Sequence, residues 1–342
     1  MRVAMYYSNQ DVRLEEMPTP QIGPGELLVR VEACGICGSD VMEWYRRDRV
    51  PLVLGHEIGG QITAVGNGVE RYKEGDRVSA AHHVPCNTCL YCLSGHHTMC
   101  DTLRRTNFDP GCFAEYIRLP AINVDRGVFL LPDEVSYEEA SFIEPLACVM
   151  RAQRRAHMQP GYSVLIIGSG IAGLLHIQLA RSMGAGKVVA TDIVDYRLEA
   201  ARQFGADASF HAEEDLPARL RQINQGHLAN LVIVCAGATS ATTQALQSVE
   251  RGGTVLFFAP TNPGVTIPLS INDLFWRNDI TLTTSYAASP ADYTAALELI
   301  RAHSMPITDM ITHRLGLTEA GRGFQLVAKA QNSIKVIIEP QK

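Results

Sequence analysis

The stretch YSVLIIGSGIAGLLHIQLARSMGAGKVVATDI, residues 162–193, restricts the fold more than any other part of the chain. An apolar run ends in a glycine turn, a helical pattern follows, and a second apolar run closes the unit. Gly168, Gly170 and Gly173 stand in a G-x-G-x-x-G arrangement directly after the first run and at the start of the helix, the context a dinucleotide-binding turn requires. The first glycine permits the tight turn and the second lets backbone approach a pyrophosphate. The third allows helix and strand to pack closely, with the phosphates over the helix N-terminus. Ile171 and Ala172 lie inside the turn and join the expected cofactor set. Asp192 ends the second apolar run, where its carboxylate can accept hydrogen bonds from the ribose hydroxyls and would repel a 2′-phosphate, so NAD is expected over NADP. Arg197 is expected over the adenine. LVIVCAG and GGTVLFFAP read as further buried strands with helical stretches between them, which predicts a parallel sheet covered by helices. Cys235, Phe258, Ala259 and Ser285 complete the residues expected to line the cofactor.

The first third of the chain has a different character. ELLVRVEACGI, GGQITAVGNG and GDRVSAA place β-branched residues between turn signals, as a barrel-like β domain would. The chain is therefore α/β with two domains, and 342 residues suffice for a core in each. A net charge of −6 offers no electrostatic reason to expect nucleic acid or an anionic membrane as partner. No run has the length of a membrane span, and the N-terminus MRVAMYYSNQ lacks the features of a secretory signal. The expected location is the cytoplasm, where the nine cysteines would stay reduced.

Four of those cysteines, Cys86, Cys89, Cys92 and Cys100, are spaced C-x2-C-x2-C-x7-C. Four thiolates suit a tetrahedral zinc with every position filled, which is a structural site. The ferredoxin pattern has a shorter last gap followed by proline, whereas Asp101 follows Cys100 here. His82, His83, His96 and His97 lie nearby in sequence but are not needed as ligands. A second candidate set lies upstream: Cys37 in CGICGSD, and His56 with Glu57 in LGHEIGG. Three protein ligands leave a fourth position for substrate, the arrangement of a catalytic zinc. Glu144 in FIEPLAC is a further carboxylate, placed where the chain crosses from the β domain into the nucleotide domain.

CGICGSD, GHEIGG, the four-cysteine lobe, IEPLAC, GSGIAG and TTSYAASP occur in the order found in zinc-dependent medium-chain dehydrogenases. The chain resembles that superfamily over essentially its whole length, and specifically its sorbitol (L-iditol) 2-dehydrogenase-like branch. The resemblance implies a GroES-like β-barrel catalytic domain over 1–148 and 286–342, carrying the zinc lobe at about 82–105. A Rossmann NAD-binding domain would occupy 149–285. It also implies that Cys37, His56 and Glu57 bind a catalytic zinc, with Glu144 as a direct or water-mediated alternative. Two zinc ions per chain and NAD are the expected cofactors, and a homodimer or homotetramer is the expected assembly.

By the same resemblance Ser39 takes the alcohol proton and Asp40 orients His56. Many relatives carry a histidine five places after the cysteine to conduct the proton outward; Met42 stands here and cannot. The relay then ends at Ser39, the cofactor ribose or water, or uses Glu43. Ser285 stands where sorbitol dehydrogenases commonly have arginine, which puts sorbitol itself in doubt. The segment MEWYRRDR offers Glu43, Trp44, Arg46 and Arg47 toward a substrate, with Tyr286 opposite. Aromatic faces suit a sugar or cyclitol, and guanidinium groups suit carboxylate or phosphate. The alternative is that these arginines are solvated and paired with Asp48 and Glu43. The expected reaction moves a hydride from a secondary alcohol of a polyol, cyclitol or sugar derivative to NAD, giving a ketone. An L-threonine 3-dehydrogenase-like enzyme is the competing enzymatic reading, since NFDPGCFAEYIRLP resembles that branch too. A zinc- and nucleotide-binding structural or regulatory protein is the non-enzymatic one.

Overall fold

The computed structural model describes residues 1–342. The chain forms two compact units, Met1–Ala147 with Ala287–Lys342, and Cys148–Tyr286, so Cys148 and Tyr286 belong to the second. The chain passes between them within the helix Ile143–Arg155.

In the first unit, Leu27–Gly35 alternates buried with half-buried residues, as a strand with one face on a core does. It lies inside a sheet ordered Ile311–Leu315, Lys335–Ile338, Leu27–Gly35, Glu57–Val65, Arg77–Ala80 and Val128–Leu130, with Tyr116–Leu119 also paired to it. Leu27, Val29, Val31, Ile58, Ile62, Phe113 and Phe324 are among the residues that fill the core. Two register pairs position the site. Gly35 faces Glu57 across one antiparallel ladder and Ile337 across another, which brings three distant segments to one end of the sheet.

The second unit is a six-stranded parallel sheet ordered Ala208–His211, Lys187–Asp192, Ser163–Ile167, Ala229–Val234, Val249–Phe257 and Thr281–Thr284. In chain order this is 3-2-1-4-5-6, the doubly wound pattern whose order reverses beside the first strand. Ser163–Ile167 is buried at every residue, as expected for an inner parallel strand. Connecting segments include the helices Ile171–Ser182, Asp195–Gln203, Leu216–Ile223 and Thr239–Ser248. The glycine turn, Cys235, Phe258 and Ser285 each follow the carboxyl end of a strand of this sheet, where open α/β sheets bind ligands.

Candidate metal centres and dinucleotide site

The four-cysteine lobe folds around short backbone-to-sulfur contacts. Cys86 Sγ accepts from Thr88 N at 3.5 Å and Cys89 N at 3.3 Å, and Cys100 Sγ accepts from Cys86 N at 3.3 Å. Hydrogen bonds from Thr88, backbone and side chain, and then from Cys89 lower the Cys86 pKa to about 5, which favours the thiolate a metal needs. The sulfurs of Cys86, Cys89, Cys92 and Cys100 all lie within 4.8 Å of one another, with 3.6 Å between Cys89 and Cys92 and 4.0 Å between Cys86 and Cys92. A tetrahedron with metal–sulfur bonds of about 2.3 Å has edges of roughly 3.8 Å, so the lobe fits one zinc with all four positions filled.

The second cluster starts at the turn Gly38–Val41. Cys37 caps it: its N–H donates to Asp40 Oδ2 at 3.0 Å, and its sulfur accepts from Ser39 N at 3.4 Å. This buries Asp40 completely and leaves its Oδ1 facing His56 Nδ1 at 3.6 Å and Arg46 Nη2 at 3.4 Å. Glu57 opens the strand opposite Gly35, and His56 immediately precedes it. Ligand atoms of Cys37, His56 and Glu57 lie within 4.8 Å of one another, and Glu144 is outside that group. Burial works against protonation of His56, but Asp40, Cys37 and Glu144 more than offset it and hold its pKa well above the ordinary value. Such a neighbourhood attracts a cation, and soft thiolate, imidazole and carboxylate together suit zinc. Ser39 Oγ lies 3.4 Å from Cys37 Sγ and accepts from Arg46 Nη2 at 3.4 Å.

The arginine-rich segment differs from one of the expected arrangements. None of Arg46, Arg47 and Arg49 pairs with Asp48 or Glu43; the one ion pair among them is Arg46 with Asp40. The Arg46 and Arg49 guanidinium carbons lie 4.7 and 5.4 Å from the Tyr45 ring centroid. Glu43 accepts from Asn9 N at 2.9 Å, so it fastens the segment to the N-terminal strands. Trp44 is partly exposed, and Tyr286 is exposed in the second unit.

Sequence reasoning missed three neighbours of this cluster. His82 is not a member of the four-cysteine group; its ring packs, tilted, with centroids 4.6 Å from His56 and 3.9 Å from His83. Burial, then His83, His56 and Arg46, keep His82 neutral. Gly35 and Lys335 are the others: Lys335 donates to Glu57 Oε2, both side chains are buried, and the ammonium lies 5.5 Å from the Phe142 ring. A lysine inside the apolar run SIKVIIEP is the one local signal that could have flagged this.

In the second unit Gly168 has φ 97°, a left-handed turn closed by Gly168 N to Thr191 O at 2.8 Å. A Cβ on Gly173 would overlap the Gly168 carbonyl oxygen. Asp192 is buried, and its carboxylate accepts from Ser169 N at 2.7 Å, Ile193 N at 2.8 Å and Val194 N at 3.1 Å. It therefore braces the glycine turn. The Arg197 guanidinium lies over Gly170, with Nη1 3.6 Å from where a Cβ would be. Phe258 meets His176 edge-on at 4.7 Å, and burial raises the Cys235 pKa.

Family models for the alcohol dehydrogenase GroES-like domain and for zinc-binding dehydrogenases match residues 23–133 and 172–302. Sorbitol dehydrogenase of Bacillus subtilis (strain 168) is 30% identical, covering 100% of this chain and 98% of that protein. L-threonine 3-dehydrogenase of the same organism is 33% identical, covering 96% and 94%. Among solved structures, galactitol-1-phosphate dehydrogenase from Escherichia coli superposes with a TM-score of 0.87 at 28% identity, covering 99% and 100%. A protein described as a zinc-binding dehydrogenase of Sinorhizobium meliloti 1021, bound to NADP, gives 0.88 at 27%, with 99% of each chain covered. With two thiol-bearing metal clusters and a doubly wound nucleotide sheet in one chain, these matches over its whole length make it a member of the zinc-dependent medium-chain dehydrogenases, an oxidoreductase of their sorbitol dehydrogenase-like branch.

Proposed function

We propose that the protein oxidises a secondary alcohol of a polyol, cyclitol or sugar derivative to a ketone with NAD, using the Cys37–His56–Glu57 cluster as its reactive metal site. The observation that carries this is the convergence of those three ligand types within 4.8 Å in a chain that separately closes a four-cysteine site. Bound there, zinc would supply Lewis acidity that lowers the pKa of a substrate hydroxyl, and nicotinamide would accept the hydride. Ser39 is suited to take the alcohol proton, because its Oγ lies beside Cys37 Sγ and the Arg46 guanidinium donates to that oxygen. Arginine cannot release its proton at working pH, so Arg46 stabilises a proton-poor Ser39 and cannot replace the missing relay histidine. From Ser39 the proton goes to water or the cofactor ribose, with Glu43 committed to Asn9. Asp40 orients His56, and Glu144 serves as a nearby anion or an alternative ligand.

NAD is favoured by Asp192, with Gly168, Gly170, Ile171, Ala172, Gly173, Arg197, Cys235, Phe258, Ala259 and Ser285 lining the cofactor. The Arg197 guanidinium beside Gly170 supports a contact with the pyrophosphate, as an alternative to the adenine. Trp44, Arg46 and Arg47 form the substrate set of the first unit, and Arg49 joins it through its packing on Tyr45. Unpaired guanidinium groups at Arg47 and Arg49 support a substrate bearing phosphate or carboxylate. The exposed side chains of Leu90, Leu93, Ile271 and Trp276 support a homodimer or homotetramer. Nine free cysteines suit a reducing cytoplasm, and no helix is long and apolar enough to cross a membrane.

The test is a panel of neutral polyols, cyclitols, sugar acids, sugar phosphates and L-threonine with NAD and with NADP, followed by absorbance of the reduced cofactor. A polyhydroxylated alcohol should give the highest kcat/KM with NAD. L-threonine surpassing every polyol would move the enzyme to the competing branch.

A further inference from the structure

The Lys335–Glu57 contact joins residues 278 apart in the chain, and a third segment, at Gly35, packs against both. Lys335 sits at 0% exposure and Glu57 at 1%, so neither charge is solvated and each needs the other. Gly35 makes room for them: a Cβ there would intrude on Glu57 Oε2 and on Lys335 Nζ and Cε. The aromatic face of Phe142 closes another side. An ordinary core would place an apolar side chain at such a position. Here the buried cation is aimed at one member of the Cys37–His56–Glu57 cluster.

The two charged groups beside the cluster act in opposite senses. Asp40, facing His56 Nδ1, adds negative charge behind an imidazole and makes it a better donor. Lys335 draws electron density from a carboxylate and occupies one of its two oxygens. We propose that Lys335 is a positioning residue for the metal: it confines Glu57 to a weakened, one-oxygen donor, and thereby keeps the metal exchangeable and a position free for substrate. This rests on the reading of Glu57 as a metal ligand. With the ammonium gone, Glu57 turns its whole charge and both oxygens to the metal, and the metal is held more tightly. A purely structural ion pair predicts the reverse, since a disordered Glu57 would release metal sooner.

The experiment follows zinc release from the holoenzyme to the chromogenic chelator 4-(2-pyridylazo)resorcinol, in which the four-cysteine zinc leaves last. Wild type is compared with Lys335→Met, Lys335→Gln, Glu57→Gln and the Glu57→Gln/Lys335→Met pair. The glutamine variant still offers Glu57 a hydrogen bond, which guards the fold if the methionine variant is not recovered. The early phase should slow roughly tenfold in Lys335→Met, slow less in Lys335→Gln, and be indifferent to Lys335 once Glu57 is glutamine. Faster or unchanged release in the lysine variants, while Glu57→Gln accelerates it, overturns this proposal alone. Wild-type release from Glu57→Gln overturns the ligand reading beneath it. Failure of both lysine variants to fold with two zinc ions makes the pair structural and also overturns the proposal.

Discussion

Replacing Asp192 separates two tasks of one carboxylate, the brace on the glycine turn and the proposed choice of NAD. Its three backbone donors are not equivalent: Ser169 is fully buried, whereas Ile193 is exposed and Val194 half-exposed, so water can replace the carboxylate at those two. Asp192→Ala leaves one buried N–H unsatisfied at a cost of about 1–3 kcal/mol. At ~2–4 °C per kcal/mol for a domain of this size, a loss near 2 kcal/mol lowers Tm by roughly 4–8 °C. Asp192→Asn keeps an oxygen able to accept from Ser169 N and should lower Tm by less than half as much. Both variants remove the charge that repels a 2′-phosphate, so both should narrow the NAD-over-NADP preference, mainly through weaker NAD binding. Tm by fluorescence-monitored melting and KM for both cofactors read the two tasks apart. Equal Tm values for wild type and Asp192→Ala would refute the brace. An asparagine variant that rejects NADP as strongly as wild type would refute the charge argument.

His176 is buried, and its Nδ1 accepts from Gln153 Nε2 at 3.2 Å in the neutral form; burial lowers its pKa to about 3. Because the unfolded chain takes up that proton below ~6.5 and the folded one does not, its contribution is fully present above that pH and erodes on acidification, by about 2 kcal/mol from pH 7 to 5. Urea unfolding of His176→Leu should show this pH slope reduced by about one proton, and an unchanged slope would contradict the assignment. Gly173→Ala drives a methyl group into the Gly168 carbonyl and should destabilise by about 1–3 kcal/mol while raising KM for NAD; a neutral effect in melting and kinetics would mean the turn relaxes freely. Arg47→Ala and Arg49→Ala should raise KM for an anionic polyol far more than for its neutral analogue, and equal effects would reduce them to surface charge.

Local pattern carried much of this molecule. The glycine turn with Asp192 and the four cysteines each lie within one short segment, so spacing alone displays their chemistry. Cys37 and His56–Glu57 are 19 residues apart, and residue type with the family resemblance sufficed to group them. What stayed illegible depends on strand register and loop packing between distant segments. Lys335 reaches Glu57 because Ile337 pairs with Gly35 and Gly35 with Glu57, a relation no periodicity encodes. His82 reads in sequence as a neighbour of the zinc lobe, yet its ring packs against His56. The arginines read as paired or free only once Glu43 is seen committed to Asn9.

The central claim is that Cys37, His56 and Glu57 hold the metal on which the oxidation depends, while the four cysteines hold one for the fold. Metal content of Cys37→Ser, measured by elemental analysis beside its rate of alcohol oxidation, tests this most directly. The account predicts a folded protein with one zinc ion per chain in place of two, NAD binding intact and alcohol oxidation lost. Two zinc ions and wild-type activity in that variant would contradict it.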